Sequence, residues 1–218
     1  MPGLGQALSR GRFITLEGGE GAGKSTHAKL LVEALQQRGQ TAIRTREPGG
    51  APGAEEIRRL LVEGAPQRWD AETEALLMVA ARRNHLVETV WPALERGDWV
   101  VCDRFADSTV AYQGYGRGLP REALDALHKL IADDFKPDLT CILDLPVEIG
   151  LSRAAGRADN ATRFERMGRD FHDRMRLGFL EIARAEPERC VVIDASAPLA
   201  TVRAAIRAAV HARLGVAI

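Results

Sequence analysis

The sequence predicts an α/β fold: a parallel sheet of five strands with helices on both faces. Three observations predict it. Strand signals recur at 13–16, 41–45, 99–102, 139–143 and 190–193, with helical patterns filling the gaps. A glycine-rich turn joins the first strand signal to the first helical pattern. No repeat, low-complexity linker or composition shift divides the 218 residues, whose 45% hydrophobic share can fill one sizeable core.

Residues 1–10 lack a charged start followed by an apolar stretch, so they do not read as a secretory signal. They read as a flexible extension ahead of a single domain at 11–218. The strand at 13–16 runs into Gly18-Gly19-Glu20-Gly21-Ala22-Gly23-Lys24-Ser25, which fits the phosphate-binding pattern Gly-x-x-x-x-Gly-Lys-Ser/Thr. Glycines let the backbone turn tightly and form a concave anion site from its N–H groups. Lys24 supplies a positive charge for β- and γ-phosphates, Ser25 offers a hydroxyl to Mg²⁺, and the helix at 24–38 adds its dipole. That helix carries Leu30, Leu31, Ala34 and Leu35 at helical spacing and stops at Gly39. A nucleoside triphosphate is the ligand this arrangement implies.

After the second strand, 49–53 is a Pro/Gly turn cluster. A long helix follows over 72–96, ending at Gly97, with Pro92 placed to kink it. A further helix is expected over about 164–184, where Phe164, Met167, Phe171, Met175, Phe179 and Ile182 form an apolar stripe that reads as core. Ahead of it, 155–162 is poor in apolar residues and reads as a mobile loop, part of a lid at about 153–165. Seven arginines lie between 153 and 176. Charge runs usually form solvated faces, but Arg157 and Arg163 on a mobile loop suit phosphate capture on closure.

Composition excludes several classes. Thirty Lys and Arg balance thirty Asp and Glu, which argues against a duplex-DNA coat or membrane-surface protein. No apolar run reaches the ~18 residues a membrane span needs. Cys102, Cys141 and Cys190 form no C-x-x-C pair, and each lies in or at the end of a strand, so they read as buried free thiols of a reducing cytosol.

Open parallel sheets bind ligands at the carboxyl ends of their strands. Glu47, Asp103 and Arg104 all follow strands and should share one crevice with the glycine loop. Asp103 stands where a Walker-B acid would and can serve Mg²⁺; Arg104 can fork onto an acceptor phosphate.

Four further stretches narrow the field: Thr45-Arg46-Glu47-Pro48-Gly49-Gly50, Cys102-Asp103-Arg104-Phe105, Asp107-Ser108-Thr109-Val110-Ala111-Tyr112-Gln113-Gly114, and Pro137-Asp138-Leu139-Thr140-Cys141-Ile142-Leu143-Asp144. With the glycine loop, these resemble the thymidylate kinase family over nearly the whole chain after Gly11. The resemblance implies a nucleoside monophosphate kinase-like P-loop fold with a mobile lid, transfer of phosphate from Mg-ATP to dTMP for dTTP synthesis, a cytoplasmic location and a homodimer packed through helices, with Trp91 on the long helix as a contributor. It implies an ATP site at Gly18, Gly19, Glu20, Gly21, Ala22, Gly23, Lys24, Ser25 and Thr26, with Arg153 added, and Mg²⁺ at Ser25 and Asp103. It implies acceptor-phosphate contacts from Arg58 and Arg104, and a dTMP site that includes Glu47, Arg82, Ser108 or Thr109, and Gln113. Which of Arg82 and Arg83 points inward is open at this stage. Catalytic roles fall to Lys24, Arg104, Arg157 and Arg163.

Two departures from the family pattern stand out. Met78, or Val79 if the register shifts by one, occupies the place of a phenylalanine that stacks on thymine in the family, one helical turn before Arg82. Thr162 replaces an aspartate before the later lid arginine. The loop has Glu20 and no internal arginine, so the chain resembles the bacterial type, in which lid arginines serve the donor. Rival readings are a kinase of another nucleoside monophosphate and a P-loop regulatory NTPase; the second would hydrolyse ATP without an acceptor.

Overall fold

The computed structural model describes residues 10–156 and 162–218. The expected extension at 1–10 therefore lies outside the described residues except for Arg10. Five strands form one parallel sheet: β1 (Phe13–Glu17), β2 (Ala42–Arg46), β3 (Trp99–Asp103), β4 (Leu139–Asp144) and β5 (Cys190–Asp194), in the order β2-β3-β1-β4-β5. Each sequence-expected strand is found, and all five reach one residue further at the carboxyl end.

The period-2 alternation of strands sends neighbouring side chains to opposite faces. Ile14, Leu16, Val101, Leu139, Cys141 and Leu143 face a core completed by α1 (Lys24–Gln37) and α9 (Leu199–Leu214), through Leu31, Leu35, Ile206 and Val210. Phe13, Val100 and Cys102 face the other side, against Leu86, Val90, Leu94 and Phe105. Both faces are thus covered, which explains why the strands read as nearly continuous apolar runs.

Between β2 and β3 lie α2 (Pro52–Val62) and a long helical segment at 71–95. Proline at the first position of α2 loses no hydrogen bond there. The long segment begins as α3 (Ala71–His85), whose Asp70 cap accepts from the Thr73 amide at 2.6 Å. It widens into a π-turn at Leu86–Val90 and ends as α4 (Trp91–Glu95). The expected disturbance at Pro92 is thus met by a wide turn just before it, because proline offers no N–H to the Glu88 carbonyl.

A short α5 (Ala106–Thr109) continues as a π-helical stretch over Val110–Gly116, followed by α6 (Arg121–Ala132). After β4 come α7 (Val147–Ala155) and α8 (Arg169–Ala185). Helix α8 starts five residues later than the periodicity suggests. The segment at 163–167 is instead tied down by Arg163, whose amide bonds the Val62 carbonyl at 2.9 Å. The apolar stripe is core as expected: Phe164, Phe171, Met175, Phe179 and Ile182 pack on Ile142 and Tyr112, with Met167 at the margin. All three cysteines are buried free thiols. No helix among the described residues is long and apolar enough to cross a membrane.

Candidate active site

The glycine loop leaves β1 and enters α1 with Gly18, Gly21 and Gly23 at φ 128°, 68° and 86°. A Cβ at Gly18 would lie 2.4 Å from the Leu143 carbonyl oxygen, and one at Gly21 would lie 2.1 Å from that of Gly150. Glycine is required at both positions on two counts, sign of φ and space. Lys24 folds back into the loop and donates to the Gly19 carbonyl at 2.6 Å. Burial, and next the nearby Arg104 charge, push its ammonium down to about 8. A phosphate chain would relieve that destabilisation of the charge.

Parallel pairing of β1 with β3 sets Leu16 opposite Asp103, so the acid ends beside the loop. The Ser25 hydroxyl donates to the Asp103 carboxylate. Two hard oxygen donors side by side on a polar cavity of about 350 Å³, shared with Lys24, Thr26, Arg46, Arg58 and Arg153, fit Mg²⁺ and its waters.

Arg104 sits at φ 74°, a left-handed turn that aims its side chain back across the loop. It donates to the Gly18 carbonyl at 3.0 Å and to Glu20 at 3.1 Å, and lies 4.8 Å over the Tyr112 ring. Although burial works to raise the Glu20 carboxyl, Arg104 and Lys24 hold it down at about 2. Its neighbour Glu17 goes the other way. Burial, then the Asp107 charge, raise Glu17 to about 8, even with bonds from the Phe105 amide and Ser108 hydroxyl at 2.6 and 2.5 Å.

A second compartment of about 100 Å³ adjoins the first, with Glu20, Glu47, Arg58, Arg104 and Thr162 on both walls. Its own lining is mainly apolar: Val62, Met78, Tyr112 and Phe164, with Arg82, Thr109 and Gln113. Arg82 is the inward member of its pair, 3% exposed. Its Nε donates to Glu47 at 2.8 Å, and its Nη2 to Thr109 at 2.8 Å and to the Phe105 carbonyl at 3.1 Å. Arg83 turns outward to the Ile131 carbonyl and the Trp91 ring. Glu47 also binds His85 at 3.0 Å, so it fixes Arg82 from behind. Arg58 bonds the Pro48 carbonyl at 2.7 Å and faces both compartments. Met78 is half-buried on the wall of this compartment, beside Phe164.

Several expectations change. Ser108 and Thr109 both line the second compartment, but their hydroxyls are engaged, Ser108 with Glu17 and Arg104 and Thr109 with Arg82. Arg153 borders the first compartment and donates to the Ala195 carbonyl at 3.1 Å. Arg157 lies outside the described residues. Arg163 departs from its expected catalytic role: it is 0% exposed, bonded to the Leu61 and Pro66 carbonyls at 3.0 and 2.8 Å and paired with buried Glu74. The carboxylate that claims it lies 89 residues away in the chain, which no local pattern could announce. Sequence reading also did not single out Tyr112 and Phe164 on the compartment wall, or Glu17 and Glu74 behind it; Tyr112 lay within a stretch that carries the resemblance, and Phe164 read as core.

A P-loop beside a strand-end acid and a second, arginine-lined compartment defines a phosphoryl-transfer enzyme of the nucleotide kinase class. The model of the family described as Thymidylate kinase matches residues 16–206. The chain is 55% identical over 208 residues to a thymidylate kinase of Caulobacter vibrioides, covering 95% of this chain and 100% of that protein. It is 53% identical over 194 residues to one of Dinoroseobacter shibae, covering 89% and 93% of the two chains. A crystal structure of thymidylate kinase from Ehrlichia chaffeensis superposes with a TM-score of 0.73 at 36% identity, over 90% of this chain and 97% of that one. The chain belongs to the thymidylate kinase family.

Proposed function

We propose that this chain transfers the γ-phosphoryl group of Mg-ATP to dTMP, giving ADP and dTDP for dTTP synthesis. The observation that carries the reading is the pair of adjoining compartments, one polar around Lys24 and one apolar around Arg82 and Gln113, with Arg58 and Arg104 on the shared wall. Donor phosphates fit the first and a pyrimidine fits the second, so the acceptor phosphate falls between two arginines that can fork onto it.

Ser25 and Asp103 would hold Mg²⁺, which when bound supplies charge neutralisation at the β- and γ-phosphates. Lys24 neutralises charge that spreads over the transferring group. Arg104 leaves Glu20 and Gly18 for the acceptor phosphate, at the cost of bonds that water or ligand replaces. No strong base is needed, because a phosphate monoester is already a nucleophile at neutral pH. Arg82, fixed by Glu47, presents its fork to thymine O4; Met78 and Phe164 cover the ring. Arg153, with Arg157 from the lid, serves the donor side, and closure over the site excludes water.

The same reading makes the protein a cytoplasmic homodimer. Three buried thiols suit a reducing compartment. Leu76 and Val87, three turns apart along the long helix, are half-exposed, and Leu130 on the neighbouring α6 is 80% exposed, an apolar surface suited to a second copy. Release of ADP from Mg-ATP with dTMP, dUMP, dCMP, dAMP and dGMP tested in turn checks the reaction. Fastest release with dTMP supports it; ATP hydrolysis that ignores the acceptor defeats it.

A further inference from the structure

The buried cluster behind the second compartment has an unusual order of partners. Glu74, fully buried, uses one carboxylate oxygen, Oε2, for Arg163, with Arg117 at 3.8 Å from the same atom. Its other oxygen, Oε1, accepts from the Gln113 side-chain Nε2 at 2.8 Å. The Gln113 carbonyl oxygen, Oε1, is buried and has no hydrogen-bond partner among the described residues, and the side chain lines the compartment. An orphaned buried acceptor is costly unless something binds it.

The amide cannot be turned over. A carboxylate only accepts, so it bonds the NH₂ end and leaves the carbonyl end for a ligand. We propose that Arg163 and Glu74 are positioning residues that lock the Gln113 amide with its acceptor toward the base, and so set which pyrimidine is taken. This inference rests on the reading of the second compartment as the acceptor-base site. The imide N3–H of thymine or uracil donates to a carbonyl. Cytosine presents a lone pair at N3 and would face oxygen against nitrogen with no proton between. Arg163 contributes at a distance: its bonds to the Leu61 and Pro66 carbonyls anchor it, and it occupies Oε2, so that Oε1 remains for Gln113.

The test is Glu74→Gln. A glutamine at 74 can both donate and accept, so either end of the Gln113 amide can face the base. Measured as kcat/KM for dTMP, dUMP and dCMP, the wild-type preference for dTMP over dCMP should fall about tenfold in the variant, the scale of one buried hydrogen bond. The change should come mainly through KM, and the dTMP-to-dUMP ratio should hold, since both bases carry the imide. Arg163→Lys keeps the charge but cannot make all three bonds; it should shift the dTMP-to-dCMP ratio in the same direction by a smaller factor. Either variant that folds decides. A lowered melting temperature with all three substrates reduced alike, and the ratio intact, would overturn the relay and leave only a structural pair. Wild type that does not phosphorylate dTMP at all would instead defeat the underlying reading of the site.

Discussion

Arg104 follows a strand and Arg163 follows a helix, and the two end in opposite surroundings. Arg104 is held at the rim of the phosphate compartment by bonds to the Gly18 carbonyl and to Glu20, groups of the P-loop itself. Arg163 lies in the interior, enclosed by Leu61, Pro66 and Glu74. The difference teaches where an arginine's role is encoded. At a strand end in a parallel sheet the topology alone delivers the side chain to the crevice. In the segment between α7 and α8 nothing local decides, and a distant buried carboxylate takes the charge.

The comparison predicts a double dissociation, and its largest arm is at Lys24. Lys24→Ala should cut turnover by orders of magnitude, since each ~1.4 kcal/mol lost from the transition state is tenfold. Thermal unfolding should stay near wild type, because burial and Arg104 already disfavour this charge in the empty loop and offset its bond to Gly19. Near-normal turnover in that variant would break the strand-end half of the comparison.

Arg163→Ala should do the reverse. Removing one partner of a buried ion pair leaves Glu74 with only the longer Arg117 contact and the Gln113 amide, and costs roughly 3–5 kcal/mol of stability. Urea unfolding measures this directly. Unchanged stability together with a collapse of kcat would restore the catalytic role that the sequence suggests and sink the structural one.

Glu17 sharpens the strand-end side through pH. Its carboxyl moves from 4.5 to about 8 on folding, so between these values the folded chain holds a proton that the unfolded chain has lost. Its contribution to stability is therefore full below about 4.5 and declines as the pH rises to about 8. Denaturation across that range should show the decline in wild type and a flatter profile in Glu17→Gln. Equal slopes would mean that the buried carboxyl is ionised throughout.

The smallest effect is expected at Met78, on the wall of the second compartment. Met78→Phe should be tolerated and tighten dTMP by a few tenths to ~1 kcal/mol, the range of aromatic pairing. Met78→Ala should weaken dTMP and leave ATP binding without acceptor unchanged. If Met78 serves the core instead, alanine costs about 2–5 kcal/mol of stability and leaves dTMP affinity in place.

Much of this molecule was legible in its sequence. All five strands, the loop and the first helix follow from periodicity and from glycines that only one backbone conformation explains. Ser25 was legible from the loop pattern and Asp103 from its place at a strand end, and the fold sets the two side by side. Arg82 and Arg83 could not be separated by pattern, because a helix turns only 100° between neighbours; Glu47 and Thr109 decide the matter in three dimensions. Phe164 read as core and is core, yet it also walls the base compartment, a second role that spacing cannot reveal. Glu17, Glu74 and Tyr112 act through partners 39 to 92 residues away, so no window along the chain contains the signal.

The central claim is that the two compartments act as one site, passing phosphate from ATP to a pyrimidine monophosphate chosen by Arg82 and Gln113. A competition experiment tests it most directly: dTMP and dCMP at equal concentration with Mg-ATP, and the two diphosphates separated and counted by chromatography. The predicted result is dTDP in at least about tenfold excess, the scale of one unpaired buried polar group. Equal amounts of the two diphosphates, or ADP without either, would contradict it.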